Sequence, residues 1–238
     1  MKSLKNWLLV LSVLSCFGCS SSVHEDGRGC AFVSDSIQYR VEFMSEGCVR
    51  ILSFPEGDTL VTKRLVVDSE KPAFKDYKWK DTGQQLIFST RELSVVFDKE
   101  DAAFTFQEVS TGKLLLKEKE AKKARHFKRS VTGGEQCLEV TQRFVPTDDE
   151  AIYGLGQYQN GIMNYRGKSV LLLQANMDIV NPFLISTNGY GILWDNYSST
   201  KFEDTKEGYS FTSEVGDASD YYFVYGKNCL LYTSPSPR

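Results

Sequence analysis

Histidine is almost absent from this chain of 238 residues, and proline is scarce: there are two of the first and six of the second. His24 and His126 lie far apart, so no His-Glu-x-x-His helix can hold a catalytic zinc and a Ser-His-Asp relay lacks a well-placed base. The basic excess that a phosphate backbone demands is missing too. Lys and Arg number 28 against 31 Asp and Glu, for a formal net charge of −3, which argues against nucleic acid as a partner. Gly154-Leu155-Gly156 starts like a dinucleotide fingerprint, but no third glycine completes it and no helical pattern follows. There is no Gly-x-Ser-x-Gly elbow. No apolar run approaches the ~20 residues that cross a bilayer as a helix. The sequence calls for no metal and no cofactor.

The N-terminus follows the grammar of an export signal: Lys2 and Lys5 form a positive region, and Trp7 to Leu14 is a short apolar run ending in small residues and cysteines. Cys16 and Cys19 both stand where a lipoprotein signal peptidase could cut, followed by Ser20-Ser21-Ser22. Cys19, preceded by the small Gly18, is the expected lipidation site, with Cys16 as the rival. Acyl chains there would make membrane lipid a partner without spanning it and place the protein in a bacterial envelope, at the periplasm or outer membrane. The alternative reading of this Cys-x-x-Cys, a redox or metal pair, sits poorly inside an export signal. Cys30, Cys48, Cys137 and Cys229 remain, widely spaced. Export permits a disulfide, but a domain of this size needs no staple, so buried or partly buried thiols are expected.

Residues 1–19 are thus read as signal and 20–30 as a flexible tether of Ser, Gly and charge, with folded chain from Ala31. From there short Val, Ile, Phe, Tyr and Thr segments alternate with Gly, Asp, Asn and Ser, as in strands joined by turns. Ile37, Tyr39, Val41 and Phe43 fall on one face of a strand, and Glu46-Gly47 turns it into Cys48 to Phe54 as a hairpin. Further strands are expected at 85–89, 93–97, 102–109, 114–116, 138–145, 169–173, 183–186, 191–194 and 221–225. No segment sustains a 3.6-residue apolar period. The fold class that follows is all-β, an antiparallel sandwich. The lysine-rich stretch from Lys113 to Arg129 reads as a solvated edge strand and loop, or alternatively as a surface for acidic glycans or headgroups. Asp148-Asp149-Glu150 reads as a turn.

The stretch Tyr153-Gly-Leu-Gly-Gln-Tyr-Gln-Asn-Gly-Ile-Met-Asn-Tyr-Arg-Gly167 reads as a loop that crowds tyrosines and amides between glycines, a composition suited to sugar hydroxyls and C–H faces. Together with Leu171-Leu-Leu-Gln-Ala-Asn-Met-Asp-Ile-Val-Asn-Pro-Phe-Leu-Ile-Ser186 and Asn188-Gly-Tyr-Gly-Ile-Leu-Trp-Asp-Asn196, it resembles the N-terminal β-sandwich of glycoside hydrolase family 31, in its bacterial α-xylosidase and α-glucosidase branch. The resemblance covers about residues 31–228 and is most specific over 152–197. It implies a galactose-mutarotase-like sandwich, and a retaining α-glycosidase acting on oligosaccharides whose two catalytic aspartates sit on a (β/α)8 barrel. Neither aspartate has a matching position here, so the chain is expected to be an inactive N-terminal fragment. Residues 229–238 resemble a non-native tail, with a Pro/Ser-rich native tail as the alternative.

The resemblance also implies that a sandwich loop, here Gln174 to Asp178, reaches the sugar subsite. Gln174, Asn176 and Asp178 are its candidate binding residues, although the Arg-Asp pair of other members is missing and a polar turn is the alternative reading. Tyr158 and Tyr165 are the candidate stacking rings. Tyr190, Trp194 and Tyr197 are weaker candidates, the first two reading better as core. Two other functions stay open: a free-standing lipoprotein carbohydrate-binding module, and a structural envelope sandwich. The sequence does not fix the oligomeric state.

Overall fold

The computed structural model of the chain describes residues 23–58, 60, 73–120 and 125–226. The expected signal with Cys16 and Cys19, the start of the tether, and the tail from residue 229 lie outside them. Alternation builds the sheets as expected. In the hairpin of β3 (Ile37–Ser45) and β4 (Cys48–Pro55) the register runs from Ser45↔Cys48 to Ile37↔Pro55, and Tyr39, Val41 and Phe43 point inward. Their neighbour Glu42 is buried on the opposite face. It accepts from Arg40 and from Arg50, whose guanidinium also forks onto Asp220.

All pairing is antiparallel, in two sheets. The first runs β1 (His24–Glu25), β2 (Cys30–Ser34), β3, β4, β18 (Ser219–Tyr225), β15 (Tyr190–Trp194), β14 (Ile179–Ser186) and β12 (Ile152–Gln157). The second runs β13 (Ser169–Leu172), β16 (Thr200–Thr205), β17 (Gly208–Gly216), β11 (Glu135–Val145), β9 (Leu114–Glu118), β8 (Ala103–Glu108), β7 (Leu93–Asp98), β6 (Gln85–Ser89) and β5 (Lys78–Asp81), with β10 (Arg125–Thr132) also on β11. Aromatic rings fill the space between them. Phe106 stacks on Phe223 at 4.1 Å, and Phe144 meets Tyr221 edge-on at 5.1 Å. Cys30 is buried, and Cys48 and Cys137 are half-buried, all three as free thiols.

Three expectations change. The folded chain begins before Ala31: His24 and Glu25 pair with Ala31 and Cys30, and the Glu25 carboxylate accepts from Tyr77 and Trp79. Asp26, also in the expected tether, caps the next turn and ion-pairs with Arg40. Second, Gly154-Leu155-Gly156 lies in a strand rather than a loop. Its positive φ values of 100°, 65° and 119° make a bulge in β12, and a Cβ at Gly156 would stand 2.1 Å from the Ile179 carbonyl. Third, the charged run is a solvated edge only in part. Among the described residues β10 pairs with β11 alone, but β9 lies inside its sheet, and Glu118 and Arg125 are buried as an ion pair. Glu118 further accepts from Phe104 N, Gln142 Nε2 and Tyr221 Oη at 2.8, 3.0 and 2.8 Å, while Arg125 Nη1 donates to Tyr39 Oη and Ala102 O. This polar knot joins the two sheets through an otherwise aromatic core.

Candidate functional site

At the end where β13 meets β14, residues 173–178 connect one sheet to the other. The Asp178 amide donates to the Ala175 carbonyl at 3.3 Å, closing a turn with Met177 at φ 72°. Gln174 clamps it: its Nε2 donates to Asp178 O at 2.9 Å, and its Oε1 accepts from Val180 N at 3.2 Å. Gln174 therefore spends its amide on shaping the loop. Asn176 stands exposed at the tip and Asp178 is half-buried behind it. Around them Leu171, Leu173, Met177 and Ile179 are all about half exposed or more, Met177 at 62 %. Four neighbouring apolar side chains in water are unusual for a simple turn.

The candidate tyrosines separate. Tyr165 is 3 % exposed and packs edge-on against Phe202, so its ring belongs to the core. Tyr158 is half-buried against the same core and donates to Leu155 O at 3.0 Å. Burial first, then the nearby Tyr165 and Asp178, pushes its hydroxyl up to about 12. Tyr190 and Trp194 are core residues, as the alternation suggested. Tyr190 bonds Glu150 and Tyr209, and Trp194 stacks on Phe211 and donates to Ser213 Oγ at 2.9 Å. Asp148 to Glu150 form the expected turn, but Glu150 is buried as the acceptor of Thr147 and Tyr190.

What the sequence reading missed is the surface around Asp195. A cleft of about 380 Å³ lies between Leu173, Gln174, Val180, Pro182 and the Asp195–Thr200 segment. A second, of about 340 Å³, lies between the same segment, Arg50, Asp217 and Asp220. Tyr197, 52 % exposed, stands on both, and Asp195, 7 % exposed, lines both with an Oδ1 that has no hydrogen-bond partner among the described residues. Asn196 Nδ2 and Ser198 Oγ donate to Val215 O at 3.0 and 2.7 Å and fix the segment. A ring beside a carboxylate that wants a donor suits a polyhydroxylated ligand. The second carboxylate nearby, Asp220, is taken up by the Arg50 fork, and no group of three His, Cys, Asp or Glu suited to a metal occurs among the described residues.

Comparison with known proteins gives the same outline. The family model described as the glycosyl hydrolase 31 N-terminal galactose mutarotase-like domain matches residues 38–203. An α-xylosidase of Saccharolobus solfataricus is 32 % identical over 206 residues, 80 % of this chain and 26 % of that protein. Among solved structures, the family 31 α-xylosidase of Xanthomonas citri is 29 % identical with a TM-score of 0.65, over 77 % of this chain and 20 % of that one. A soil-metagenome α-xylosidase complexed with xylose is 23 % identical with a TM-score of 0.70, over 87 % and 33 %. The chain thus spans a fifth to a third of the length of these relatives.

Proposed function

We propose, for a chain that belongs to the glycosyl hydrolase 31 N-terminal galactose mutarotase-like domain family, that it is the N-terminal sandwich of a retaining α-xylosidase or α-glucosidase acting on oligosaccharides. It performs no hydrolysis by itself. The observation that carries this reading is the apolar rim of Leu171, Leu173, Met177 and Ile179 around a clamped polar tip. Such a rim gains by being covered, and a catalytic domain seated on it would bring Asn176 and Asp178 to its substrate. Gln174 acts by holding that tip in place. We further propose export to a bacterial envelope with lipid attachment at Cys19.

The test of the catalytic reading is direct. The purified mature chain is expected to leave aryl α-xylosides and α-glucosides intact, and reading the source DNA past codon 229 is expected to show an open frame with two barrel aspartates. Turnover by the chain alone, or an authentic stop codon, would overturn it. For the anchor, a radioactive fatty acid is expected to label the wild type and Cys16→Ser but not Cys19→Ser. One observation favours a second reading, a binding module that captures glycan unaided: Tyr197 and Asp195 flank two clefts with no help from another domain. Calorimetric binding of xylogluco-oligosaccharides at micromolar affinity by the mature chain would select it.

A further inference from the structure

Sheet order sets two opposite margins on this domain. β1 and β5 are the terminal strands of the two sheets at one margin, tied together by Tyr77 and Trp79 donating to Glu25. β13, β14 and β12 lie at the other, where the Gln174–Asp178 loop projects. β1 and β14 are separated by six strand spacings, or roughly 29 Å measured across the sheet. The chain enters the described fold at Val23 and is paired in β1 from His24.

We propose that the β1/β5 margin faces a lipid bilayer and holds the Gln174–Asp178 loop on the far side of the domain; this rests on the lipid attachment at Cys19 proposed above. The reason is a comparison of lengths. Cys19 and His24 are five residue steps apart, and at most ~3.6 Å per step gives a reach of roughly 18 Å. A domain turned with its loop margin on the membrane would lift His24 roughly 29 Å from it, beyond that reach. Lipid on Cys16, eight steps away, would give roughly 29 Å and leave either orientation open, so the choice of cysteine decides whether orientation is imposed.

Charge favours the same face. Arg28, Lys75, Lys78 and Lys80, on or beside these strands, are exposed and carry no ion pair among the described residues. Most acids there have a cationic partner: Asp26 pairs with Arg40 and Asp81 with Lys99, and Asp76 lies 3.8 Å from Arg91. Glu25 meets only the neutral donors Tyr77 and Trp79. Four unpaired cations against one such carboxylate leave a net positive margin that suits anionic headgroups, while the apolar loop margin stays available for the rest of a glycosidase and its substrate.

The experiment uses the lipidated full chain on vesicles of phosphatidylethanolamine and phosphatidylglycerol containing acceptor-labelled lipid. A donor dye is attached to an azide-bearing residue placed at Lys80 or at Met177. Energy transfer is expected to be at least roughly twofold stronger from Lys80, given the sheet-width difference in height, and a flexible insert of some thirty residues after Ser22, with an r.m.s. span of roughly 30 Å that matches the sheet width, is expected to erase the difference. Equal or reversed transfer in the wild type, with the protein still bound, would overturn the orientation and leave the anchor standing. Failure of the wild type to bind vesicles, with no fatty-acid label, would remove both.

Discussion

Replacing Glu118 by Gln keeps the shape of the side chain and removes the charge that Arg125 faces across the core. The consequences can be counted. Glu118 is wholly buried and receives four donors, from Arg125, Phe104, Gln142 and Tyr221. A glutamine amide accepts through one oxygen only and turns its NH₂ toward one of those donor pairs. Arg125, which stays protonated under all ordinary conditions, is left as a buried cation supported by Tyr39 Oη and Ala102 O. Breaking a buried pair in this way costs about 3–5 kcal/mol. In a domain of roughly 200 residues each kcal/mol shifts Tm by about 2–4 °C, so Glu118→Gln is expected to melt about 6–20 °C below the wild type.

Arg125→Met should cost a similar amount by stranding the carboxylate. The double variant Glu118→Gln/Arg125→Met should be more stable than either single one, because neither charge is then buried alone. Urea unfolding followed by circular dichroism at neutral pH measures all three. If either single variant stays within about 1 kcal/mol of the wild type, the pair behaves like a surface ion pair and the account of a cross-sheet knot is wrong.

Gly156→Ala should destabilise the domain by about 2 kcal/mol or more, since a Cβ would meet the Ile179 carbonyl at a positive φ; a melting curve matching wild type would refute the close approach. Gln174→Ala removes two exposed hydrogen bonds, each at the lower end of the roughly 0.5–1.5 kcal/mol that such a bond contributes net of water. It should speed amide exchange at residues 175–180 and lower Tm by about 2–4 °C, and unchanged exchange would show that the clamp is idle. Burial pushes the Cys30 thiol up to about 11 and the Cys48 thiol up to about 12, so iodoacetamide at pH 8 should modify Cys137 well before either, by peptide mass spectrometry. The same burial makes stability complete below about pH 8.5, where free thiols begin to ionise, and lets it fall as pH rises toward the folded values. Rapid modification of Cys30 in the folded protein at pH 8 would contradict this.

Alternation made the hairpin of β3 and β4 legible, along with most inward aromatics, because period-2 burial writes itself into the order of residues. Neither the bulged β12 nor the charged strand β16 carries that mark. In β12 the glycines are chosen for backbone approach rather than for hydropathy, and Thr200 to Thr205 places its buried Phe202 among Lys, Glu and Asp. Glu118 and Arg125 were lost in a run of like residues, for a buried charge and a solvated one have the same letter and differ only in what the fold brings to them. The loop at Gln174 was placed by resemblance to a family. Its division of labour, with Gln174 as clamp and Asn176 as tip, depends on hydrogen bonds that span four to six residues and could not be read from composition. Asp195 gave no signal beyond its place at the end of a strand.

β18, the last strand among the described residues, lies in the middle of its sheet, with β4 on one side and β15 on the other; Asp220 pairs with Leu52, far back in the sequence. Emerging from a ribosome N-terminus first, the chain would hold β1 to β4 on one side and β12, β14 and β15 on the other as two separate half-sheets until Tyr225 had appeared. Contacts so distant in sequence close slowly. A polypeptide built in this order keeps its first sheet open until the β18 segment has been made, which favours passage through a narrow translocation pore before this sheet closes.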